Sequence, residues 1–330
     1  MKKGTTTLVV GATGQLGSAI VGKLHARALK VRALVREGSA CSHLDRPGIE
    51  LVKGDLRDPE SLKTACIGAE AIIATANAAT PTRKGDSFKS VDIEGYRHLI
   101  DAAVDAGVKR FIYCSAKISG ELDGSLPISR AKRATEDYLM KSGFDYTIFR
   151  PDAFMDIYFA FLGSDLPARG AQNASLNRPF PFMQKFYNGV KNNIALKGEA
   201  GIIGDGNIRQ TFICIDDVAE FHVHALELSQ TKNRIFDIGG PEALSARQLV
   251  DIYAEITGKT LKVKSTPAFV FNIMRHLLKP FNPAAANIMA LNYAGTRIES
   301  VLDMSETASL FGVQLTSARD FLKSKATLPG

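Results

Sequence analysis

The residues Leu8-Val9-Val10-Gly11-Ala12-Thr13-Gly14-Gln15-Leu16-Gly17 decide the fold class. A short β-branched run, Thr6 to Val10, halts at a glycine. Beyond it Gln15 to Ala28 has helical period, with Leu16, Ile20 and Leu24 four apart on one face. At such a strand-to-helix turn each glycine of a GxxGxxG has a physical purpose. Gly11 makes the tight turn, Gly14 lets backbone approach a pyrophosphate, and Gly17 lets helix and strand pack closely. The unpaired amides that open the helix then face the phosphates. Gly11, Thr13, Gly14, Gln15, Leu16 and Gly17 are therefore expected to hold a dinucleotide, the plainer alternative being a structural glycine turn.

Outward from this turn, short apolar runs alternate with helical segments. Lys30 to Val35, Glu50 to Val52, Glu70 to Thr75, Lys109 to Ser115 and Asp145 to Arg150 read as further strands. Asp58-Pro59-Glu60 starts a helix, Asp92 to Ala106 is another, and one around Lys132 ends at Gly143. The expected fold is α/β, a Rossmann-type doubly wound parallel sheet. Residues 1–150 form the NAD(P)-binding domain, and 151–330 a smaller, mainly helical substrate or lid part packed on it rather than an independent domain. In that part, residues 163–183 read as a long surface excursion. Arg209 to Ile215 and Arg234 to Ile238 read as strands, with helices from Asp217, Ser245, Pro267, Pro283 and Ser305.

The 330 residues suffice for a full core, and 45% hydrophobic with 23% charged residues excludes a disordered chain or a membrane bundle. The formal charge of +7 favours anionic partners without naming one. Cys41, Cys66, Cys114 and Cys214 form no CxxC pair, which fits a reduced, cytoplasmic location. The opening MKKGTTTLVV is too interrupted for a signal peptide, and the apolar run Ala268 to Met274 is too short to span a membrane. His222 and His224 lie on different sides of a helix, so no metal site is expected. The positive charge is spread out, with no basic helix for nucleic acid.

The second strand selects the cofactor. It ends in Arg36, where an NAD site usually has an acid; a guanidinium there binds a 2'-phosphate, so NADP(H) is preferred. The adjacent Glu37 keeps NAD(H) as the alternative.

The chain resembles the atypical and extended short-chain dehydrogenase/reductases, specifically their NmrA-like branch. The likeness rests on VVGATGQLG at 9–17, ALVRE at 33–37, KGDLRDPESL at 53–62, GVKRFIYCSA at 107–116, and KRATEDYL and GFDYTIFRP within 132–151. It weakens through the segments at 212–219 and 236–241, and covers about 240 residues, the last 80 matching poorly. The resemblance implies that Asp55 and Leu56 sit against the adenine, and that Thr75, Ala76 and Asn77 pass beside the nicotinamide ribose. It also matches Ser115 and Lys132 to the catalytic Ser and Lys. The family's catalytic Tyr stands four residues before its Lys, and here that position is Ile128.

An isoleucine does no acid or base chemistry, which argues against sugar-nucleotide epimerisation and ordinary alcohol dehydrogenation. Similar NmrA-like reductases of aromatic or enone substrates lack the Tyr and keep the Lys. The expectation is an NADPH-dependent reductase of a small apolar carbonyl, enone or quinone-like compound. Lys132 would anchor the ribose, Ser115 orient the substrate oxygen and Tyr158 donate the proton, while Pro151 and Phe154 line the nicotinamide. The competing expectation is a non-catalytic NADP(H)-sensing regulator or assembly factor of a membrane complex, acting on a protein partner. Residues 266–294, rich in Phe, Leu and Met beside Arg275 and Lys279, read as a cleft lid, a peripheral membrane contact or a partner face. The oligomeric state is not legible.

Overall fold

The computed structural model describes residues 5–118, 123–124, 126–171 and 173–329. Residues 1–4, which open the stretch weighed as a leader, and Gln172 of the excursion lie outside the described residues. Strands β1 (Thr6–Val10), β2 (Lys30–Val35), β3 (Ile49–Lys53), β4 (Ala71–Ala74), β5 (Arg110–Cys114) and β6 (Asp145–Pro151) stand within about a residue of their expected bounds. Between them run helices α1 (Gln15–Ala26), α2 (Pro59–Cys66), α3 (Tyr96–Asp105) and α4 (Pro127–Met140). The later strands are β7 (Glu199–Ile203), β8 (Arg209–Gln210), β9 (Arg234–Ile238), β10 (Leu244–Ser245) and β11 (Lys262–Thr266).

Seven strands form one sheet in the order β3-β2-β1-β4-β5-β6-β9, every neighbour parallel. Leu8, Val9 and Val10 are buried from both sides, as an interior parallel strand between two helical layers requires. One layer packs α1 and helix Ile215–His224 around Ile20, Val218 and Phe221. The other packs α2 and α3 around Leu62, Tyr96 and Leu99. The chain reverses its direction of winding between β1 and β4, so a crevice opens at their carboxyl ends.

Four expectations are corrected. The strand drawn at Arg209 to Ile215 is only Arg209–Gln210. The Thr211 hydroxyl bonds the Ser300 carbonyl and the Leu302 amide, drawing the chain off any ladder. The helix expected from Asp217 starts at Ile215, and that expected from Asp92 starts with π-helical turns over Phe88–Gly95 before the α-helix begins at Tyr96. A capping box between Ser87 and Ser90 opens those wide turns. The excursion at 163–183 is not a surface loop: Leu166, Leu176, Phe180 and Met183 are buried, because the segment crosses the mouth of the crevice.

Candidate dinucleotide and substrate cleft

Gly11 has φ +89°, and a Cβ there would lie 2.7 Å from the Ala76 nitrogen, so the ends of β1 and β4 are pressed together. At Gly17 a Cβ would lie 2.1 Å from the Gly11 carbonyl oxygen. The turn is thus closed on itself and aims α1 at the crevice. No side chain caps this helix and its first turn holds no acid, so its amides remain available to an anion.

A cleft of about 490 Å³ runs from this turn along the strand ends. The residues expected to bind cofactor or act on substrate border it: Gly11, Thr13, Gly14, Gln15, Leu16, Gly17, Arg36, Asp55, Leu56, Thr75, Ala76, Asn77, Ser115, Lys132, Pro151, Phe154 and Tyr158. The uncapped helix and the bare glycines fit a dinucleotide.

At the end of the cleft beyond β2, Arg36 is already engaged. Its guanidinium donates to both oxygens of Asp86 at 3.1 and 3.2 Å and to the Thr82 hydroxyl at 2.6 Å. Asp55 accepts from the Arg57 amide at 2.9 Å and from its guanidinium at 3.0 and 3.2 Å. Burial pushes the Asp55 carboxyl up, but these bonds outweigh it and hold its pKa below the ordinary value.

Lys132 lies behind the end of β5, 3% exposed. Its ammonium donates to the Cys114 carbonyl at 3.1 Å, stands 3.7 Å from Asp92 Oδ1, and sits 4.9 Å from the centre of the Tyr113 ring. Asp92 is fully buried and accepts from the Ala78 amide at 2.8 Å. Burial raises its pKa to about 6, with Lys132 opposing. The π-helical turns deliver this carboxylate, a local irregularity of the kind that gathers at functional sites.

Ser115 donates its proton to Glu136, a buried carboxylate also held by Arg150 Nε at 3.0 Å. Ile128, four residues before Lys132, packs with Leu126 and Ala290, and its amide donates to Asn287 Oδ1 at 3.3 Å, so no phenol stands at that position. Tyr158 stacks against Phe212 at 4.8 Å, and burial pushes its phenol up to about 12. Pro151 and Phe154 are fixed by the Lys117 amide and by a bridge to Ile213.

Reasoning from sequence missed Asp92, Asp86, Asn287 and Arg178. Each borders or braces the cleft from a segment far along the chain, and none carries a local motif. His222 is buried and bonds the Val218 carbonyl, His224 bonds the Phe311 carbonyl and stands 3.4 Å from Glu220, and no metal-ligating cluster occurs among the described residues.

The sequence profile of the NmrA-like family matches residues 3–310. This chain belongs to the NmrA-like family. The match runs beyond the roughly 240 residues legible as similar and into the C-terminal helices. Among NmrA-like and related proteins, the photosystem II assembly factor Ycf39 of Trieres chinensis is 25% identical over 95% of this chain and 90% of its own length. The NAD(P)H azoreductase of Xenophilus azovorans is 26% identical over 77% of this chain and 75% of its own. The NADPH-dependent quinone oxidoreductase of Escherichia coli, solved with NADPH, superposes with a TM-score of 0.70 at 21% identity, covering 96% of this chain and 99% of that one. That likeness shows the fold.

Proposed function

We propose that this NmrA-like protein is an NADPH-dependent reductase of small apolar carbonyl, enone or quinone-like compounds. The observation that carries the reading is the cleft. Its lining joins the glycine turn and Arg36 to apolar residues that cluster together, Leu126, Ile128 and Leu291 in one group and Ile157, Phe161 and Ile288 in another. The names of the azoreductase and the quinone oxidoreductase point the same way.

When bound, the nicotinamide cofactor supplies a hydride. On this reading Arg36, now bound to Asp86, would hold the 2'-phosphate, and Asp55 and Leu56 would flank the adenine. Thr75, Ala76 and Asn77 would border the ribose, which the ammonium of Lys132 would anchor. Pro151 and Phe154 would wall the nicotinamide. The Ser115 hydroxyl donates to Glu136 and accepts from Arg133 at 3.3 Å, so to orient a substrate oxygen it would turn its O–H from Glu136 to the cleft. The neutral Tyr158 phenol is the proton donor; at about 12 it remains acidic enough to protonate a developing alkoxide.

NADPH and NADH titration, beside NADPH oxidation with menadione, an enone and an aldehyde, tests this. Turnover of one acceptor and tighter binding of NADPH are expected. No turnover with any acceptor would remove the reductase reading, and tighter NADH binding would remove the NADP assignment.

One observation favours the second role, that of an assembly factor at a membrane; the name of Ycf39 supports the assembly-factor part. Helix Pro283–Ala294 borders the cleft, whereas helix Ala268–Leu278 turns Phe269, Ile273 and Leu277 outward at 50–62% exposure, followed by Phe281 at 87%. Between Glu255 and Glu299 there is no acid, but Lys259, Lys262, Lys264, Arg275, Lys279 and Arg297 are present. An apolar stripe in a stretch of chain whose charged residues are all basic suits an anionic bilayer surface. No helix among the described residues is long and apolar enough to cross one. The four free thiols support a reducing, cytoplasmic setting.

A further inference from the structure

The excursion at 163–183 brings one cation to the glycine turn. Arg178 borders the cleft, and a Cβ on Gly14 would stand 2.9 Å from its Nη2. The bare α-carbon of Gly14 therefore makes room for a guanidinium as well as for a ligand. Among the described residues the Arg178 guanidinium has no carboxylate and no hydrogen-bond partner, although it is half-buried. Burial and the neighbouring Arg36 both lower its pKa.

The segment is tied down on either side of the turn. Gln15 Oε1 accepts from the Ser175 amide at 3.0 Å, and Gln15 Nε2 donates to Asp156 at 3.4 Å. Asn173 reaches the His43 ring at 2.9 Å, and that ring lies 3.0 Å from the Ser18 hydroxyl on α1. Leu176 and Phe180, on either side of Arg178, are buried. Residues 173–180 thus form a strap across the glycine turn. A cation with no partner among the described residues is held against Gly14, the N-cap residue of the uncapped α1.

We propose that Arg178 is a clamp for the diphosphate of the bound dinucleotide, and that the strap exists to present it. This inference rests on the cofactor reading above. The guanidinium and the α1 amides hold the diphosphate from opposite sides, and Arg36 is left for the adenosine end. A charge that has no partner without ligand acquires one on binding.

Direct binding measurements on the full chain test it. NADPH, NADH and ADP-ribose are titrated calorimetrically into wild type, Arg178→Ala and Arg178→Lys, and thermal melting is recorded without ligand. Arg178→Ala should weaken all three ligands by about tenfold or more, with Arg178→Lys intermediate. Its ligand-free melting temperature should be equal or higher, since an unpaired half-buried cation is removed. Unchanged ADP-ribose binding by Arg178→Ala overturns the clamp, as does a loss confined to NADPH, which would place Arg178 on the 2'-phosphate. Failure of wild type to bind all three overturns the cofactor reading and the clamp with it.

Discussion

Lys132 Nζ stands 3.7 Å from Oδ1 of Asp92, and neither side chain is more than 4% exposed. Removing one member of such a pair leaves the other charged and dry, which costs about 3–5 kcal/mol. The Asp92 pKa, about 6 in the fold against 3.8 as an ordinary carboxyl, gives this cost a pH dependence. The folded protein holds that proton more tightly, so the contribution of Asp92 is fully present below 3.8 and is lost as pH rises through 6. Without Lys132 the folded pKa climbs further. Urea unfolding of Lys132→Met should therefore show a larger loss at pH 8 than at pH 5, together with weaker NADPH binding. Equal losses at the two pH values would contradict the pairing.

The opposite sign holds at His222. Burial lowers its pKa from 6.5 to about 4, against the Val218 carbonyl bond. Unfolded chains take up this proton first, so the stability it contributes is present above 6.5 and fades as pH falls toward 4. The full span is worth about 3 kcal/mol. His222→Phe keeps a ring beside Phe149, now 4.8 Å away, and should flatten the stability curve between pH 6.5 and 4. Unfolding midpoints across that interval check it; parallel curves would exclude the assignment.

Restoring the tyrosine should not restore the chemistry. Ile128 is 9% exposed and packed against Leu126 and Ala290, the latter on the helix that borders the cleft. A phenol there overfills the contact, so Ile128→Tyr should cost about 1–3 kcal/mol and slow any quinone reduction. Melting temperature and NADPH oxidation measure both effects. A stable variant that oxidises secondary alcohols would show that this wall yields.

The outward stripe makes a prediction independent of the cleft. The wild type should co-sediment with vesicles rich in phosphatidylglycerol and stay behind with phosphatidylcholine alone. Phe269→Glu with Phe281→Glu, at positions 62% and 87% exposed, should abolish pelleting and leave NADPH affinity unchanged. Pelleting that survives both substitutions would rule out this face.

The glycine turn was legible in the sequence because its constraint is local. Gly11 needs φ +89° and Gly17 leaves no room for a Cβ, so the residues themselves announce the turn. The alternation of β-branched runs and helical period likewise marked the first six strands, and the residues at their carboxyl ends came out together at the cleft. Where side chains override local pattern, as Thr211 does by bonding Ser300 and Leu302, the strand expected there was lost.

From the sequence alone, then, come the parallel sheet, the dinucleotide turn and the absence of a hydroxyl at Ile128, all set by backbone geometry or residue type. Tertiary structure alone decided which charges meet. Asp92 reaches Lys132 through wide helical turns that no periodicity announces. Gln15 binds Ser175 across 160 positions, and with it Arg178 comes to Gly14. The tail, one amphipathic stretch in the sequence, was divided into a cleft wall and an outward stripe. Contacts between distant segments depend on how whole layers pack, and a local pattern carries no record of its distant neighbours.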